Sequence, residues 1–157
     1  MKPYLLGHDE GDATWMFDAL DTIKADSEQT GGGFSLIEFQ DYVGSTVPVH
    51  QNERWDRGFY VVEGDYTFYI GDDALSASSG AWIFLPRNNP VAWRCNSARG
   101  RLLNLTVPGG LEEFYREVGE AVSDRNNLPP KREPDVGALI PIAAKHGIQI
   151  MGPPPGG

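Results

Sequence analysis

Residues 44–64, GSTVPVHQNERWDRGFYVVEG, and residues 80–95, GAWIFLPRNNPVAWRC, decide how this chain folds. Each stretch holds two short β-like runs separated by turn residues, with Gly44, Gly64 and Gly80 at the boundaries and Pro86 and Asn88 inside the second. On a strand, side chains two apart share a face. His50 and Asn52 therefore point the same way, as do Arg57, Phe59 and Val61, and as do Val91 and Trp93.

Outward from these stretches the pattern repeats. The runs TWMFDAL (14–20), FSLIEFQ (34–40), YTFYI (66–70) and LLNLTV (102–107) are rich in aromatic and β-branched residues, and Gly, Asp, Asn and Pro punctuate them. GDD at 71–73 reads as a hairpin turn. Many short strands at near-regular spacing predict an antiparallel sandwich or barrel over about 13–107. After Gly110, Leu111, Phe114, Tyr115, Val118 and Val122 recur at helical spacing and predict an amphipathic helix over 111–122. The linker SDRNNLPPKREP leads to a second helical piece around 138–146, with Pro141 expected in its first turn and Gly147 closing it. Residues 111–147 thus form a C-terminal helical region on a single domain spanning 1–157.

The bulk numbers narrow the function classes. A chain of 157 residues is long enough to bury a sizeable core. A net charge of −9 argues against nucleic acid and anionic membrane as partners, since both select basic surfaces. No run approaches the ~20 apolar residues of a membrane span, and MKPYLLGHDEGD lacks the pattern of a signal peptide. The lone Cys95 excludes an internal disulfide and a thiolate-rich metal site, and it suits a cytoplasmic location.

The spacing of Gly44, His50 and Gly64, and of Gly80 and Pro86, resembles the two motifs of the cupin superfamily. The segments EQTGGGFSLIEF, RLLNLTVPGGLEEFYREVG and PDVGALIPIAAKHGIQIMGPPP further resemble small actinobacterial single-domain cupins described as quercetin 2,3-dioxygenase-like. The resemblance implies an all-β jelly-roll barrel (double-stranded β-helix) with one or two C-terminal helices, a divalent metal in its interior, and a homodimer. It also shows where this chain departs. Of the four positions that carry metal ligands in the superfamily, His50 alone keeps one, with Asn52, Arg57 and Val91 at the others.

Those substitutions set the chemical expectation. A divalent ion needs three or four converging N, O or thiolate donors. Asn52 is a weak neutral donor, Val91 offers none, and Arg57 places a permanent positive charge where an anion should neutralise the ion. At an effective dielectric near 20 that repulsion is on the order of several kcal/mol. Neither metal nor other cofactor is expected. The parity of the strands predicts a pocket holding His50, Arg57, Asn52, Asn104 and Glu38, walled by Phe59, Trp93 and Val91, with Trp55 near its mouth.

A cation beside His50 keeps its imidazole neutral and able to accept a proton. Arg57 is suited to a carboxylate, phenolate or enolate oxygen. The expectation is a metal-independent enzyme with His50, Arg57 and Asn52 catalytic. It would carry out dehydration, cyclisation or isomerisation of a small oxygenated metabolite, polyketide-like or aromatic, in natural-product biosynthesis. A quercetinase-like dioxygenase with altered ligands and a non-catalytic small-molecule-binding cupin are the alternatives. The bland reading of Arg57 is an outward side chain paired with Asp56 or Glu53, and that of Asn104 is a satisfied strand edge.

Overall fold

A computed structural model describes residues 1–156 of the chain. Its strands are β1 (Asp12–Met16), β2 (Ala19–Ala25), β3 (Ser35–Tyr42), β4 (Val49–Asn52), β5 (Asp56–Glu63), β6 (Asp65–Ile70), β7 (Asp73–Ser78), β8 (Trp82–Leu85), β9 (Val91–Cys95) and β10 (Arg99–Val107). Helix α1 (Glu112–Val118), β11 (Glu120–Val122), α2 (Val136–Lys145) and β12 (Ile148–Gly152) follow.

The strands form two antiparallel sheets. One has seven strands in the order β11-β1-β2-β3-β10-β5-β8, the other five in the order β12-β4-β9-β6-β7. Sequence neighbours cross between the sheets, as in a jelly roll, and the inward side chains fill the space between them. Phe59 lies 5.3 Å from Phe68 and 5.2 Å from Trp93 between ring centroids, and Ile37, Val61 and Leu102 are fully buried around them. Each such side chain is worth about 1.5–3 kcal/mol of transfer free energy.

Turn chemistry explains the punctuation seen in the sequence. At Gly64 the backbone has φ +91°, and an added Cβ would stand 2.6 Å from the Arg99 carbonyl oxygen, so only glycine fits. Asn88, which stands where the motif has glycine, adopts φ 65°. Asn tolerates this left-handed region better than other L-residues. Its N–H then donates to the Asn52 carbonyl (2.7 Å), tying the second motif to the end of β4.

The region after Gly110 differs from the helix expected over 111–122. Helix α1 ends at Val118 because Gly119 turns extended, at φ −74° and ψ 154°. An added Cβ there would sit 2.6 Å from the Thr14 side chain, so the chain can pass this close to β1 only without one. Residues 120–122 then pair with β1 as a strand. Helix α2 begins earlier than expected, because the Asp135 side chain caps it by accepting from Ala138 N (3.1 Å). Pro141 accordingly falls inside the helix rather than in its first turn, where it forfeits one backbone hydrogen bond. Strand β12, to which the sequence reading assigns no element, pairs with β4 and places Ile150 opposite His50.

A fully buried carboxylate anchors α1. Glu112 accepts hydrogen bonds from Ser27 N (2.7 Å), Ser27 Oγ (2.5 Å), Ser35 Oγ and Gly110 N (3.0 Å). Burial opposes its ionisation, but the Ser27 and Ser35 bonds outweigh this and hold it below the usual glutamate range. Among the described residues no helix is long and apolar enough to cross a membrane.

Candidate active site

Strands β4 and β5 run on either side of the turn 53–55 and bring His50, Asn52 and Arg57 to one cavity in the barrel interior. Arg57 is inward and 3% exposed, which removes the surface-pair reading. Asp56, its neighbour, pairs with Arg87 on the outside instead (3.1 Å). Arg57 Nη1 lies 2.9 Å from His50 Nε2, and Arg57 Nε donates to Asn104 Oδ1 (3.3 Å). The guanidinium carbon stacks 4.7 Å from the Phe59 ring centroid and 5.5 Å from that of Trp93.

These contacts assign the histidine tautomer. A guanidinium only donates, so His50 Nε2 is the acceptor and the ring proton sits on Nδ1. Nδ1–H then donates to the Pro48 carbonyl (2.8 Å). Burial, and next the Arg57 charge, push the His50 pKa down to about 4, with the Pro48 bond opposing. The imidazole is neutral at physiological pH. Burial lowers the Arg57 pKa as well, from a starting value so high that the group stays charged.

Asn52 is more committed than its position in the motif implied. Its Oδ1 accepts from Arg54 N (3.0 Å) and Trp55 N (2.6 Å), capping the turn between β4 and β5. Only Nδ2 is left to face the cavity. Trp55 is 4% exposed and donates from Nε1 to the Gly109 carbonyl (3.3 Å), so it is a wall of the cavity and not a side chain guarding its mouth.

Four residues expected to touch substrate stand elsewhere. Phe59 is fully buried beneath Arg57, Val91 is the backbone neighbour of His50 across β4 and β9, and Asn104 is the partner of Arg57 Nε. All three support the lining without forming it. Glu38 is on the other face of the sheet. Ile37 and Phe39 take the inward positions of β3, opposite Asn104 and Leu102 of β10, so Glu38 faces outward beside Arg101 (3.9 Å). Trp93 does line the cavity, with its ring edge-on to His50 at 5.8 Å.

Helix residues supply what sequence reasoning missed. Leu111, Phe114 and Tyr115 of the α1 region, Leu139 of α2, and Ile148 and Ile150 of β12 close the cavity from above. Apart from His50 and Arg57, Tyr115 is the one titratable side chain in the lining. The cavity is partly open, and its innermost space of about 40 Å³ is room for a few water molecules. Around Arg57, three buried polar atoms lack partners: Arg57 Nη2, Asn104 Nδ2 and Thr106 Oγ1. Two of these are obligate donors, an arrangement suited to an anionic oxygen.

The metal implied by the resemblance does not fit this donor set. The free nitrogen of His50 is taken by a cation, the Asn52 oxygen is taken by backbone N–H groups, and Val91 has no donor. Among the described residues no three His, Cys, Asp or Glu side chains converge as a metal-binding group.

No family model matches the chain. It is 28% identical over 118 residues to the quercetin 2,3-dioxygenase of Bacillus subtilis, covering 75% of this chain and 35% of that protein. The chain thus spans about a third of the length of the curated relative it matches. Among solved structures it is similar to KdgF from a Halomonas species (TM-score 0.64, 16% identity, covering 72% of this chain and 99% of that one). It is also similar to an RmlC-like cupin from Shewanella frigidimarina (TM-score 0.62, 17% identity, 73% and 96%). A third is Streptomyces Pac13, described as a nucleoside dehydratase (TM-score 0.58, 17% identity, 77% and 92%). At such identities these structural likenesses speak to fold alone.

Proposed function

We infer that this chain, a cupin by fold, is a metal-independent enzyme in which His50 removes a proton beside a carbonyl and Arg57 holds the oxygen that gains charge. The observation that carries the reading is the 2.9 Å contact from Arg57 Nη1 to His50 Nε2 in the barrel cavity. In the free protein this contact occupies the lone pair of the base and weakens it. A substrate carbonyl, carboxylate or phenolate oxygen that takes over the Arg57 donors releases Nε2. Where that oxygen is a carboxylate or phenolate, its negative charge also offsets the guanidinium and raises the basicity of His50 at the moment a base is needed. The unpartnered Nη2 donor of Arg57, held in place by Asn104 behind it, stabilises the enolate oxygen as charge develops.

Elimination of water is the favoured outcome, with cyclisation or isomerisation by the same enolate as variants. A protein of similar fold is described as a dehydratase, so the fold is compatible with such chemistry. The apolar lining, including Trp93, Phe114 and Ile148, suits a small, oxygenated, largely apolar metabolite. A place in natural-product biosynthesis and a cytoplasmic setting, the latter resting on the buried free Cys95, belong to the same proposal.

The quercetinase reading rests on the Bacillus subtilis relative, and the donor set at Arg57 opposes it. A non-catalytic binder would use the same Arg57 donors for a ligand's anion. A panel of β-hydroxy ketones and aromatic β-hydroxy acids, assayed with chelator present, tests the proposal. Elimination by the wild type and none by His50→Gln is the expected result. Binding without chemical change across the panel would favour the binder, and turnover only with added metal the dioxygenase.

We also propose a homodimer. β8 is the open edge of the larger sheet, and Trp82 and Phe84 on it, with Tyr60 and Val62 beside them on β5, form an exposed apolar face. A second copy of the same edge, paired about a two-fold axis, would cover that face and satisfy the edge.

A further inference from the structure

Elimination needs an acid as well as a base, and neither Arg57 nor Asn52 can give up a proton. Behind the cavity wall lies a second, smaller chamber of about 20 Å³, enough for one water. Asp18, Asp21 and Asp41 line it. Asp21 on β2 faces inward beside Phe39 of β3, is 2% exposed, and has no hydrogen-bond partner for its carboxyl among the described residues. Asp41 is 4% exposed and accepts from Tyr66 Oη (2.7 Å). Tyr115 and Trp93 belong to the walls of both chambers, and the Tyr115 phenol lies within range of the Arg57 charge on one side and of the Asp21 and Asp41 carboxyls on the other.

We propose that Tyr115 is the general acid of the site and that Asp21, acting through it and through a water in the acidic chamber, is the positioning residue that returns its proton. This rests on the reading of His50 as base. The step balances within the protein and substrate. His50 Nε2 takes the proton from the carbon beside the carbonyl, and the electron pair of that C–H bond forms the C=C bond. The β-carbon–oxygen bond breaks, the departing oxygen takes the Tyr115 phenol proton, and water leaves. The Asp21 carboxyl reprotonates Tyr115 through the chamber water, and exchange with solvent returns one proton to Asp21 and removes one from His50. Burial, together with the neighbouring Asp41 and Asp18 carboxyls, raises the Asp21 pKa well above the usual carboxylate range and so favours its protonated form. Burial raises that of Tyr115 too, so the phenol is protonated when the substrate arrives.

Two measurements test this. With 13Cζ-labelled tyrosine, the Tyr115 resonance in the wild type should move as the buried carboxyls titrate, and Asp21→Asn should remove most of that movement. The groups facing this pair from neighbouring elements are Asp18, Asp41, Tyr66, Cys95, Arg57 and Lys131, and the Asp41→Asn variant separates the Asp41 share. A Tyr115 signal indifferent to Asp21 overturns the proposal whatever the protein catalyses. In the β-hydroxy ketone assay, Tyr115→Phe should lower kcat about 10²–10⁴-fold with KM nearly unchanged. It should lower it far less for β-acetoxy analogues, whose leaving group needs no proton. Equal losses for both leaving groups overturn the acid role while leaving His50 as base. Tyrosine coupling without turnover of any substrate counts against the enzyme reading instead.

Discussion

Arg57 and His50 form a cation–imidazole pair in which the guanidinium donates to the one ring nitrogen that a metal would otherwise take, at 2.9 Å. A cation stands at the position where the resemblance of residues 44–64 to the cupin motif implies an anionic ligand. On the proposed reading the histidine is a gated base in place of a ligand, and the titration and turnover predictions below test that exchange.

The pair sets the titration of His50. Its imidazole should protonate near pH 4 in the wild type, and replacing Arg57 with Met should raise that value without restoring 6.5, since burial is the larger cause. Proton NMR of the ring resonances against pH reads both. An unchanged value in Arg57→Met would remove the electrostatic coupling from the account.

Turnover should report the same coupling. With a β-hydroxy acid as substrate, the acid limb of kcat/KM belongs to the free enzyme and should fall near pH 4, whereas that of kcat belongs to the complex and should lie higher, because the bound carboxylate offsets Arg57. Coincident limbs would mean that substrate leaves the Arg57 contact intact.

Much of this was legible in the sequence, and the reasons are specific. Turn glycines and Asn88 mark backbone conformations that few other residues tolerate, so the barrel could be read from spacing, while strand parity and the cupin resemblance together pointed His50, Asn52 and Arg57 inward. The face of β3 could not. FSLIEFQ carries apolar residues at both parities, and only packing chooses Ile37 and Phe39 over Leu36 and Glu38 for the inside. Tyr115, Leu139 and Ile148 were missed as site residues because their helices and final strand reach the cavity through tertiary docking, which strand alternation does not encode. The inward Asp21 and Asp41 break the rule that charged residues leave strand interiors, and that departure was the available signal.

The acidic chamber gives an unusual stability profile. Asp41 titrates at about 7 in the fold against 3.8 ordinarily, so between these values the folded state holds the extra proton and stability falls as pH rises. His50 acts oppositely, between about 4 and 6.5, where the unfolded state holds the extra proton and stability falls as pH drops. Above pH 7 only the Asp41 penalty of this pair remains. Asp41→Asn, which still accepts from Tyr66, should therefore stabilise the protein by roughly 2–4 kcal/mol more at pH 8 than at pH 4. Urea unfolding at the two pH values measures the difference, and a shift of opposite sign would refute the assignment.

Asn52 and Glu112 should behave as scaffolding. Asn52→Ala removes the cap on the Arg54 and Trp55 N–H groups and should cost about 1–2 kcal/mol. Glu112→Gln turns an amide N–H₂ toward donors that need an acceptor and should cost about 2–3 kcal/mol. Thermal unfolding checks both, and a loss of activity in Asn52→Ala at unchanged stability would return that residue to the chemistry.

The most direct measurement is 15N NMR of the His50 ring at neutral pH, before and after addition of zinc, nickel, manganese and iron(II) in turn. The account predicts a neutral ring protonated on Nδ1, with an Nε2 resonance that none of the metals shifts or broadens at stoichiometric concentration. A metal-dependent change at Nε2 with one ion per chain would contradict it and make His50 a ligand again.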